Sequence, residues 1–465
     1  MVAFKIHKWA GIFIGFWLLN LSVTGFFLNH EKNSYDFDFL WEISIPASLF
    51  NEYSLNNHRY REVNSYKAHP EKGWKLIGSM RGLFISKGRE FKKVFSGRVF
   101  DIEPFREDDF NEDFSTVYIA TERGIYRYDW NKEPELIGLK GKIITSISVL
   151  SKKIIAVEQK KKIWLLDLKE NSLKELRVES IKSPQSVSLM RFVRDFHYGR
   201  GLFKNPLSML LNDLFSLWWS YLTLSGTLVF FLYRRLKVKR KGRDLLLMVI
   251  RTHSNYATIF IIPFIFLLAF TGFIIDHPNF FRKFVSFSIP VKVMPPIYHN
   301  PGDDIWGIDF DGRFLRIGTR YGVFVSEDFR SFSLESEGFA YKVIRVKDTL
   351  FVSGMGSPSR FLKEGRWISL EKTHMPIDFL KTDKGVFPVM RKDIPVFSEK
   401  VPLYTLLLSL HDGSFFHKHF IFLNDMAAIL TFLLLITGTI RFLKRKLLGC
   451  DKFYIGKKKM VILMI

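Results

Sequence analysis

Four long apolar segments constrain what this chain can fold into more than any other feature of its sequence. Each is close to the length of about 20 residues that a helix needs to cross the hydrocarbon core of a bilayer. Together they carry only two charged residues, Asp213 and Asp425. Backbone polar groups in lipid must be satisfied within the segment, so each segment is predicted to be a transmembrane helix. The segments cover residues 9–29, 207–233, 256–275 and 420–440.

Basic residues are concentrated beside these segments. The formal net charge is +23, and residues 234–251 and 441–465 each hold eight lysines and arginines against one acid. Loops rich in Lys and Arg stay on the cytoplasmic side, so the sequence predicts a multi-pass protein of a bacterial cytoplasmic (inner) membrane, with both termini and the 234–251 loop in the cytoplasm. The same distribution argues against a nucleic-acid surface, and we expect no nucleic-acid partner.

The single cysteine, Cys450, excludes several kinds of site. The chain has no internal disulfide, no thiolate zinc site and no Cys-ligated iron–sulfur cluster. It also lacks the C-x-x-C-H motif of covalently attached haem.

The predicted organisation alternates transmembrane helices with segments outside the cytoplasm. A cleaved signal peptide is the alternative interpretation of the first apolar segment, but no small-residue cleavage site follows it. The predicted parts are a first transmembrane helix (1–30), an extracytoplasmic β-domain (31–190), a second transmembrane helix (191–235), a basic cytoplasmic loop (236–252), a third transmembrane helix (253–277), a second extracytoplasmic β-domain (278–405), a fourth transmembrane helix (406–443) and a basic cytoplasmic tail (444–465).

Short sequence marks recur in the same order in two halves of the chain, which we call the first half and the second half. The intervals between the marks are almost equal. Both halves enter the membrane from the same side, so the sequence predicts two parallel repeats related by a pseudo-two-fold axis along the membrane normal. The marks of the first half are His7, Thr24-Gly25, His30, His197, Asn212-Asp213 and Ser225-Gly226; those of the second are His253, Thr271-Gly272, His277, His411, Asn424-Asp425 and Thr437-Gly438.

The segments between the helices show the pattern of β-hairpins. Residues 78–86, 119–128 and 317–326 each contain a short run, a turn with glycine and an alternating run. The sequence therefore predicts a membrane α + β protein, a four-helix bundle with two β-meander domains that are partly propeller-like. Whether the two domains join into one propeller stays open. These segments contain no catalytic triad, phosphate loop or zinc motif.

Histidines at the ends of the apolar segments are the candidate ligands. Ionisable groups at membrane depth are costly and usually functional, and two imidazoles across a shared axis can hold one haem iron from both sides. His7 and His30 are separated by about 35 Å along a helix, which predicts one inner and one outer site. For the inner site we favour His7/His253. For the outer site His197/His411 and His30/His277 compete, and mixed pairs such as His30 with His197 stay open.

The Ser/Thr-Gly pairs are interpreted as helix-packing residues; the alternative is that their glycines let a flat macrocycle approach closely. The Asn-Asp pairs are interpreted as caps or bridges near the outer surface, with proton relay as the alternative.

Several of these marks resemble the PepSY-associated transmembrane helix family. The resemblance implies an inner-membrane protein linked to iron uptake, and some relatives resemble haem-binding reductases of ferric siderophores. It implies bis-histidine haem b and outward electron transfer. The β-segments depart from an ordinary PepSY domain, which leaves the substrate open. The matching marks are His7-Lys8-Trp9-Ala10-Gly11, Thr24-Gly25, Leu28-Asn29-His30, Leu410-His411-Asp412-Gly413, Asn424-Asp425 and Thr437-Gly438.

The leading hypothesis is a transmembrane electron carrier with two haem b groups. It would reduce ferric iron, a ferric siderophore or another acceptor outside, which would make it a haem-dependent membrane reductase. Its expected partners are the lipid bilayer, quinol or a separate electron donor, and an iron-siderophore or protein partner outside. The alternatives are a non-enzymatic membrane-anchored binding or assembly protein and a haem or metal transporter.

Overall fold

The computed structural model describes most of the chain. Cys450 and three residues of the basic clusters, Arg240, Lys241 and Lys457, lie outside the described residues. The described residues are 2–30, 37–69, 72–106, 112–130, 132–182, 184–203, 207–239, 243–285, 287–370, 373, 375–382, 385–448, 451–455 and 458–462.

The described residues contain four long apolar helices and many small antiparallel sheets, so the fold is mixed α + β. The α-helices are α1 (Val2–Leu28), α2 (Phe39–Glu42), α3 (Glu52–His58), α4 (Leu189–His197), α5 (Leu207–Lys239), α6 (Arg243–His253), α7 (Tyr256–Asp276), α8 (Arg282–Val285), α9 (Leu403–His411) and α10 (Phe422–Leu448). The strands are β1 (Ser44–Pro46), β2 (Val63–Ala68), β3 (Lys75–Ser79), β4 (Gly82–Ser86), β5 (Lys92–Ser96), β6 (Val99–Arg106), β7 (Glu112–Thr121), β8 (Gly124–Asp129), β9 (Glu135–Gly138), β10 (Ile144–Leu150), β11 (Lys153–Glu158), β12 (Lys162–Asp167), β13 (Ser172–Leu176), β14 (Ser180–Ile181), β15 (Ser186–Ser188), β16 (Ser288–Pro290), β17 (Ile305–Phe310), β18 (Leu315–Thr319), β19 (Gly322–Ser326), β20 (Ser331–Glu337), β21 (Ala340–Val346), β22 (Thr349–Gly354), β23 (Ser359–Lys363), β24 (Arg366–Leu370), β25 (Asp378–Thr382), β26 (Gly385–Val389), β27 (Lys400–Pro402), β28 (Asp451–Ile455) and β29 (Lys458–Ile462).

The four predicted apolar segments are all helical. The helices α1, α5, α7 and α10 are long and apolar enough to cross a membrane over Lys5–Asn29, Leu207–Arg234, Tyr256–Asp276 and Phe422–Lys444. These bounds agree with the sequence prediction to within a few residues. We call the end of the bundle that faces the β-sheets the sheet end and the opposite end, which carries the basic clusters, the basic end.

The bundle has an apolar interior and an apolar exterior. The helix α1 contacts α5 and α10, and α7 contacts the same two helices. Ile14 and Leu18 of α1 are buried between the helices, whereas Phe13, Phe16 and Phe260 are 69%, 79% and 73% exposed. Large apolar side chains on the outside of such a bundle are suited to lipid contact.

Short helices precede two of the long ones, which the predicted boundaries did not separate. The predicted segment 191–235 contains α4 and α5, and 406–443 contains α9 and α10. The turns after α4 and α9 pass through Gly199 and Gly413, which have φ values of +65° and +82°. Glycine adopts this left-handed conformation at little cost, so the chain turns immediately after His197 and His411.

The predicted basic loop over 236–252 is partly helical. Its residues form α6, which packs Leu246 against Leu232 of α5. The next helix starts after Asn255, whose side chain accepts a hydrogen bond of 2.8 Å from the Thr258 amide and caps α7. His253 therefore ends α6 and does not lie inside the third apolar helix.

The sheets between the apolar helices are mostly four-stranded antiparallel meanders. They are β2–β5, β6–β9, β10–β13, β17–β20 and β21–β24, followed by the two-stranded sheet β25–β26; β14 joins the edge of β20 in parallel. The first strands of successive sheets contact one another, from β2 through β6, β10, β17 and β21 to β25, and β25 contacts β2.

A local motif explains three of the predicted hairpins. The hydroxyl groups of Ser79, Thr121 and Thr319 each donate to the carbonyl of the glycine three residues later, at 3.1, 2.8 and 3.2 Å. Each hydroxyl also accepts the amide of the second residue after it, which closes the turn. The sequence runs at 78–86, 119–128 and 317–326 are hairpins in the structure.

We expect Trp41→Ala to lower the free energy of unfolding by about 3–5 kcal/mol, because it empties a fully buried site. Trp41 is 1% exposed and stacks on Tyr404 of α9, with ring centres 4.3 Å apart. Denaturation in detergent measures the change. Leu49→Ala is the control, since Leu49 is 63% exposed and its loss should change stability by about 0.5 kcal/mol or less. Equal losses in both variants would contradict this packing.

Candidate functional site

The rings of His7 and His253 lie next to each other at the basic end of the bundle. Their centres are 6.4 Å apart and their planes meet at 79°. His7 lies near the start of α1 in the first half, and His253 is the last residue of α6 in the second half. The structure thus brings together the two residues that the sequence paired for the inner site.

A second pair of histidines lies at the sheet end. His197 is the last residue of α4 and His411 is the last residue of α9. Burial, together with the neighbouring His411, lowers the pKa of His197 to about 4. Burial also lowers the pKa of His411. Both imidazoles are therefore neutral at physiological pH, which is the form that binds metals.

Each of these four histidines is held by a Ser or Thr of the opposite half of the chain. In every case the hydroxyl oxygen lies within hydrogen-bonding distance of the imidazole Nδ1, and the residue belongs to a Ser/Thr-Gly pair. The four contacts are Thr437 to His7 at 3.0 Å, Ser225 to His253 at 2.7 Å, Thr24 to His411 at 2.8 Å and Thr271 to His197 at 3.3 Å.

The direction of these hydrogen bonds determines which ring nitrogen is available. Each hydroxyl donates its proton to the carbonyl four residues earlier in its own helix, at 2.6–2.7 Å. It must then accept from Nδ1–H of the histidine, since a hydroxyl has a single proton to give. In the tautomer with a proton on Nδ1, Nε2 is the nitrogen that carries the lone pair. A metal-bound histidine has this arrangement, in which the second nitrogen donates to a polar partner.

The glycines of the four pairs allow the rings to approach the helices closely. A Cβ atom added at any of them would lie near the imidazole Cε1 of the same histidine. The distances would be 3.3 Å from Gly438 to His7, 3.3 Å from Gly226 to His253, 3.4 Å from Gly25 to His411 and 3.0 Å from Gly272 to His197. The Ser/Thr-Gly pairs, which the sequence interpretation assigned to helix packing, are thus the histidine supports.

The third duplicated pair, His30 and His277, has different partners. His30 Nδ1 lies 3.0 Å from the Phe26 carbonyl, and its Nε2 lies 3.4 Å from a carboxylate oxygen of Asp213. His277 Nε2 lies 2.7 Å from Asp425. In both residues Nε2 faces a carboxylate of the predicted Asn-Asp pairs, so these imidazoles bridge helices within each half.

A mostly apolar cavity of about 210 Å³ adjoins the basic-end pair. His7 and His253 both line it, together with four glycines on helices α1, α5 and α10, Gly11, Gly15, Gly226 and Gly438. Lys8 and Arg441 supply the positive charges of its lining. The wall of this cavity therefore combines apolar side chains with two imidazoles and two basic side chains.

Polar contacts from the β-segments anchor the residues beside the sheet-end histidines, and again each comes from the opposite half. Asp195, two residues before His197, accepts a bond of 2.6 Å from Arg320 and one of 3.0 Å from the Tyr298 hydroxyl. Asp412, the neighbour of His411, lies 2.7 Å from Nε2 of His58. Sequence reasoning missed these anchors, because nothing in the local pattern links residues so far apart along the chain.

The carboxylate of Asp412 stays charged in spite of its burial. Burial by itself raises the pKa of Asp412, but the hydrogen bond and charge of His58, with further bonds from Ser414, outweigh it. The net pKa lies below the usual value for aspartate.

The histidine sites offer two protein ligands each. Within the part of the chain that the structure describes, no group of three or more His, Cys, Asp and Glu residues could hold a metal ion. A bare ion such as zinc takes four ligands, so a pair of imidazoles suits a metal whose remaining ligands come with it.

Comparison with solved structures gives only low similarity. No protein of curated function matches the chain. A structural genomics protein of unknown function from Bacteroides thetaiotaomicron has a TM-score of 0.36 at 8% identity, over 71% of this chain and 68% of that chain. Sqt1 of Saccharomyces cerevisiae has a TM-score of 0.28 at 9% identity, over 75% and 96%. The WD40 domain of Pan2 from Neurospora crassa has a TM-score of 0.29 at 10% identity, over 75% and 91%. Scores this low do not establish a common fold.

The sequence profile of the PepSY-associated TM region matches residues 156–445. The match begins within β11 and takes in α5, α7 and most of α10, but not α1 with His7, Thr24 and His30. It covers well over half of the chain, and the four apolar helices fit a membrane protein. The chain therefore belongs to the PepSY-associated TM region family.

Proposed function

We propose that this protein is a transmembrane electron carrier that holds two haem b groups, one between His7 and His253 and one between His197 and His411. The observation that carries the proposal is the shared support of these four imidazoles at Nδ1 by a Ser or Thr of the opposite half, which makes Nε2 the nitrogen with the lone pair. A bis-histidine haem exchanges one electron between its ferric and ferrous states, and two such groups at opposite ends of the bundle would form an electron path across the membrane.

His7 and His253 would hold the basic-end iron, since their ring centres lie 6.4 Å apart, which is close enough for both imidazoles to bind one metal ion. The porphyrin would supply the four remaining ligands, which agrees with sites of two imidazoles each.

The contacts between the halves support the proposed internal repeat. Every histidine of the two pairs is bound by the opposite half, and exchanging the halves turns each contact into another of the same set. A pseudo-two-fold axis along the bundle has this property. It would place the two imidazoles of each pair at equal depth in the membrane.

The remaining residues of the interior also suit this function. Trp219 packs in the apolar clusters of both Leu18 and Phe215, so the space between the two sites is filled by apolar and aromatic side chains. Lys8 and Arg441 would pair with haem propionates at the basic end, which the charge distribution assigns to the cytoplasm.

We propose further that the six sheets form one propeller shared by both halves, because their first strands contact in sequence and β25 contacts β2. The electron acceptor would be ferric iron, a ferric chelate or another oxidant on the side of the membrane that carries the β-sheets. The described residues at the basic end include no flavin or nicotinamide domain, so quinol or a separate protein would be the donor.

Replacing single histidines should remove one haem at a time. We expect His7→Ala or His253→Ala, and independently His197→Ala or His411→Ala, to lower the haem content from two to one per chain, because each iron loses an axial ligand. Reduced-minus-oxidised spectra and pyridine haemochrome assays of the detergent-purified protein measure this. His30→Ala and His277→Ala should keep both haems, since their Nε2 atoms face carboxylates.

The exposed His417, close in sequence to the sheet-end turn, provides a matched control, and His417→Ala should leave the spectrum unchanged. Absence of b-type bands from the wild-type protein after expression with ample haem would refute the proposal. Retention of both haems in all four ligand variants would refute the assignment of residues.

Removing one supporting hydroxyl should weaken one site selectively. We expect Thr437→Val to lower haem affinity at the basic end by about 10–100-fold, because His7 Nδ1–H loses its closer acceptor and keeps only the Leu434 carbonyl at 3.2 Å. Haem titration of the apoprotein measures the affinity of each site. Thr437→Ser keeps the hydroxyl and should restore binding; a serine variant as weak as the valine variant would point to packing rather than to the hydrogen bond.

A further inference from the structure

A polar cavity of about 410 Å³ lies where the first strands of the sheets begin. Its wall consists of residues from the early positions of β2, β6, β10, β17 and β21, so the strands surround it. Arg200 and Met209 close the side toward the membrane helices. The cavity is therefore bounded by the β-sheets on one side and by the α4–α5 connection on the other.

This cavity adjoins the sheet-end histidine pair. Arg200 follows His197 by three residues, in the turn that Gly199 forms after α4. The amide of Arg200 donates to the Asp195 carbonyl at 2.7 Å, which ties the turn back to the helix. A ligand bound at Arg200 would thus lie beside the turn that carries His197.

Most acids of the cavity wall already have basic partners. Asp101 lies 3.4 Å from Lys342, Glu103 lies 3.6 Å from Lys67 and Asp304 lies 2.8 Å from Arg320. The carboxylate of Asp195, behind the wall, is bound by Arg320, Arg191 and Tyr298. Asp303, on the exposed side of the wall, is the remaining acid. The internal pairs therefore leave little negative charge near the buried Arg200 Nε.

Arg200 has an unmet hydrogen-bonding requirement. Its Nε atom is buried and has no hydrogen-bond partner among the residues that the structure describes. A buried guanidinium N–H without an acceptor is costly, and a carboxylate or phosphate oxygen is its best partner. Lys161, exposed on the turn between β11 and β12, adds a second positive charge to the wall.

The cavity opens to solvent at the surface of the β-sheets. Gln159, Lys161 and Asp303 belong to its own wall and are exposed. A small hydrophilic solute therefore has a polar route from solvent toward Arg200.

We propose that this cavity binds a small, oxygen-rich anion, such as a carboxylate chelate of a trivalent metal, against Arg200, and that it is the docking site of the electron acceptor. The role as acceptor site rests on the proposed function, whereas anion binding does not. The first strands of the sheets supply the polar wall and most of its basic side chains. The α4–α5 connection supplies Arg200 and places the cavity close to His197.

Equilibrium dialysis of the full-length protein in detergent tests the proposal, with gallium(III) citrate as a redox-inert probe. We expect saturable binding to the wild type and about tenfold weaker binding to Arg200→Gln, because a charge-assisted hydrogen bond is lost. Lys161→Gln, on an exposed turn where it should not disturb folding, should weaken binding about two- to fivefold. Lys174→Gln, the same charge change on the exposed strand β13, should bind as the wild type does.

Absorption spectra of the same preparations separate the two proposals. Wild-type protein without b-type bands that still binds gallium through Arg200 would refute the electron carrier and support the anion site. Equal affinities in Arg200→Gln and Lys174→Gln would overturn the anion site whatever the spectrum. Loss of haem from Arg200→Gln with unchanged gallium binding in Lys161→Gln would also overturn it, since Arg200 would then belong to the haem site.

Discussion

One kind of hydrogen bond, repeated four times, organises the helix bundle of this protein. A Ser or Thr hydroxyl gives its proton to its own helix and therefore accepts the Nδ1–H of an imidazole from the other half of the chain. The bond sets the tautomer, the ring orientation and the contact between the halves at once. Without it, Nδ1–H of His7 and His197 would keep only the carbonyls of Leu434 and Leu268, at 3.2 and 3.3 Å. A buried donor that loses its best acceptor is costly in an apolar bundle.

The β-region helps to hold the sheet-end pair and is not merely attached to the bundle. His58 on α3 binds Asp412 beside His411, and Arg320 binds Asp195 beside His197. Each contact joins a β-segment to the short helix of the other half. Buried ion pairs add little net stability, but loss of one partner leaves the other charge buried and costs several kcal/mol. The β-sheets and the histidine turns are therefore expected to shift together.

His30 and His277 have different partners from the other four duplicated histidines. At His30 and His277 the Nε2 atom faces an aspartate, so these residues act as polar bridges near the sheet end. At the other four positions a hydroxyl takes Nδ1–H and a glycine opens space beside Cε1. A histidine, a Ser/Thr-Gly step and an apolar cavity together suit a flat cofactor, whereas a histidine with an aspartate suits a structural link.

The sequence by itself determined the four apolar helices, the hairpins with their Ser/Thr-x-x-Gly turns and the family, because these depend on local composition and spacing. It also selected the histidines, since duplicated marks such as His7 and His253 stand out without a structure. Only the tertiary structure decided that Thr24 supports His411 rather than packing a helix, that His30 faces Asp213, and that Arg200 closes a cavity beneath the strands. Those outcomes depend on contacts between side chains that are far apart along the chain. The spacing of residues within one segment does not show which other segments will pack against it.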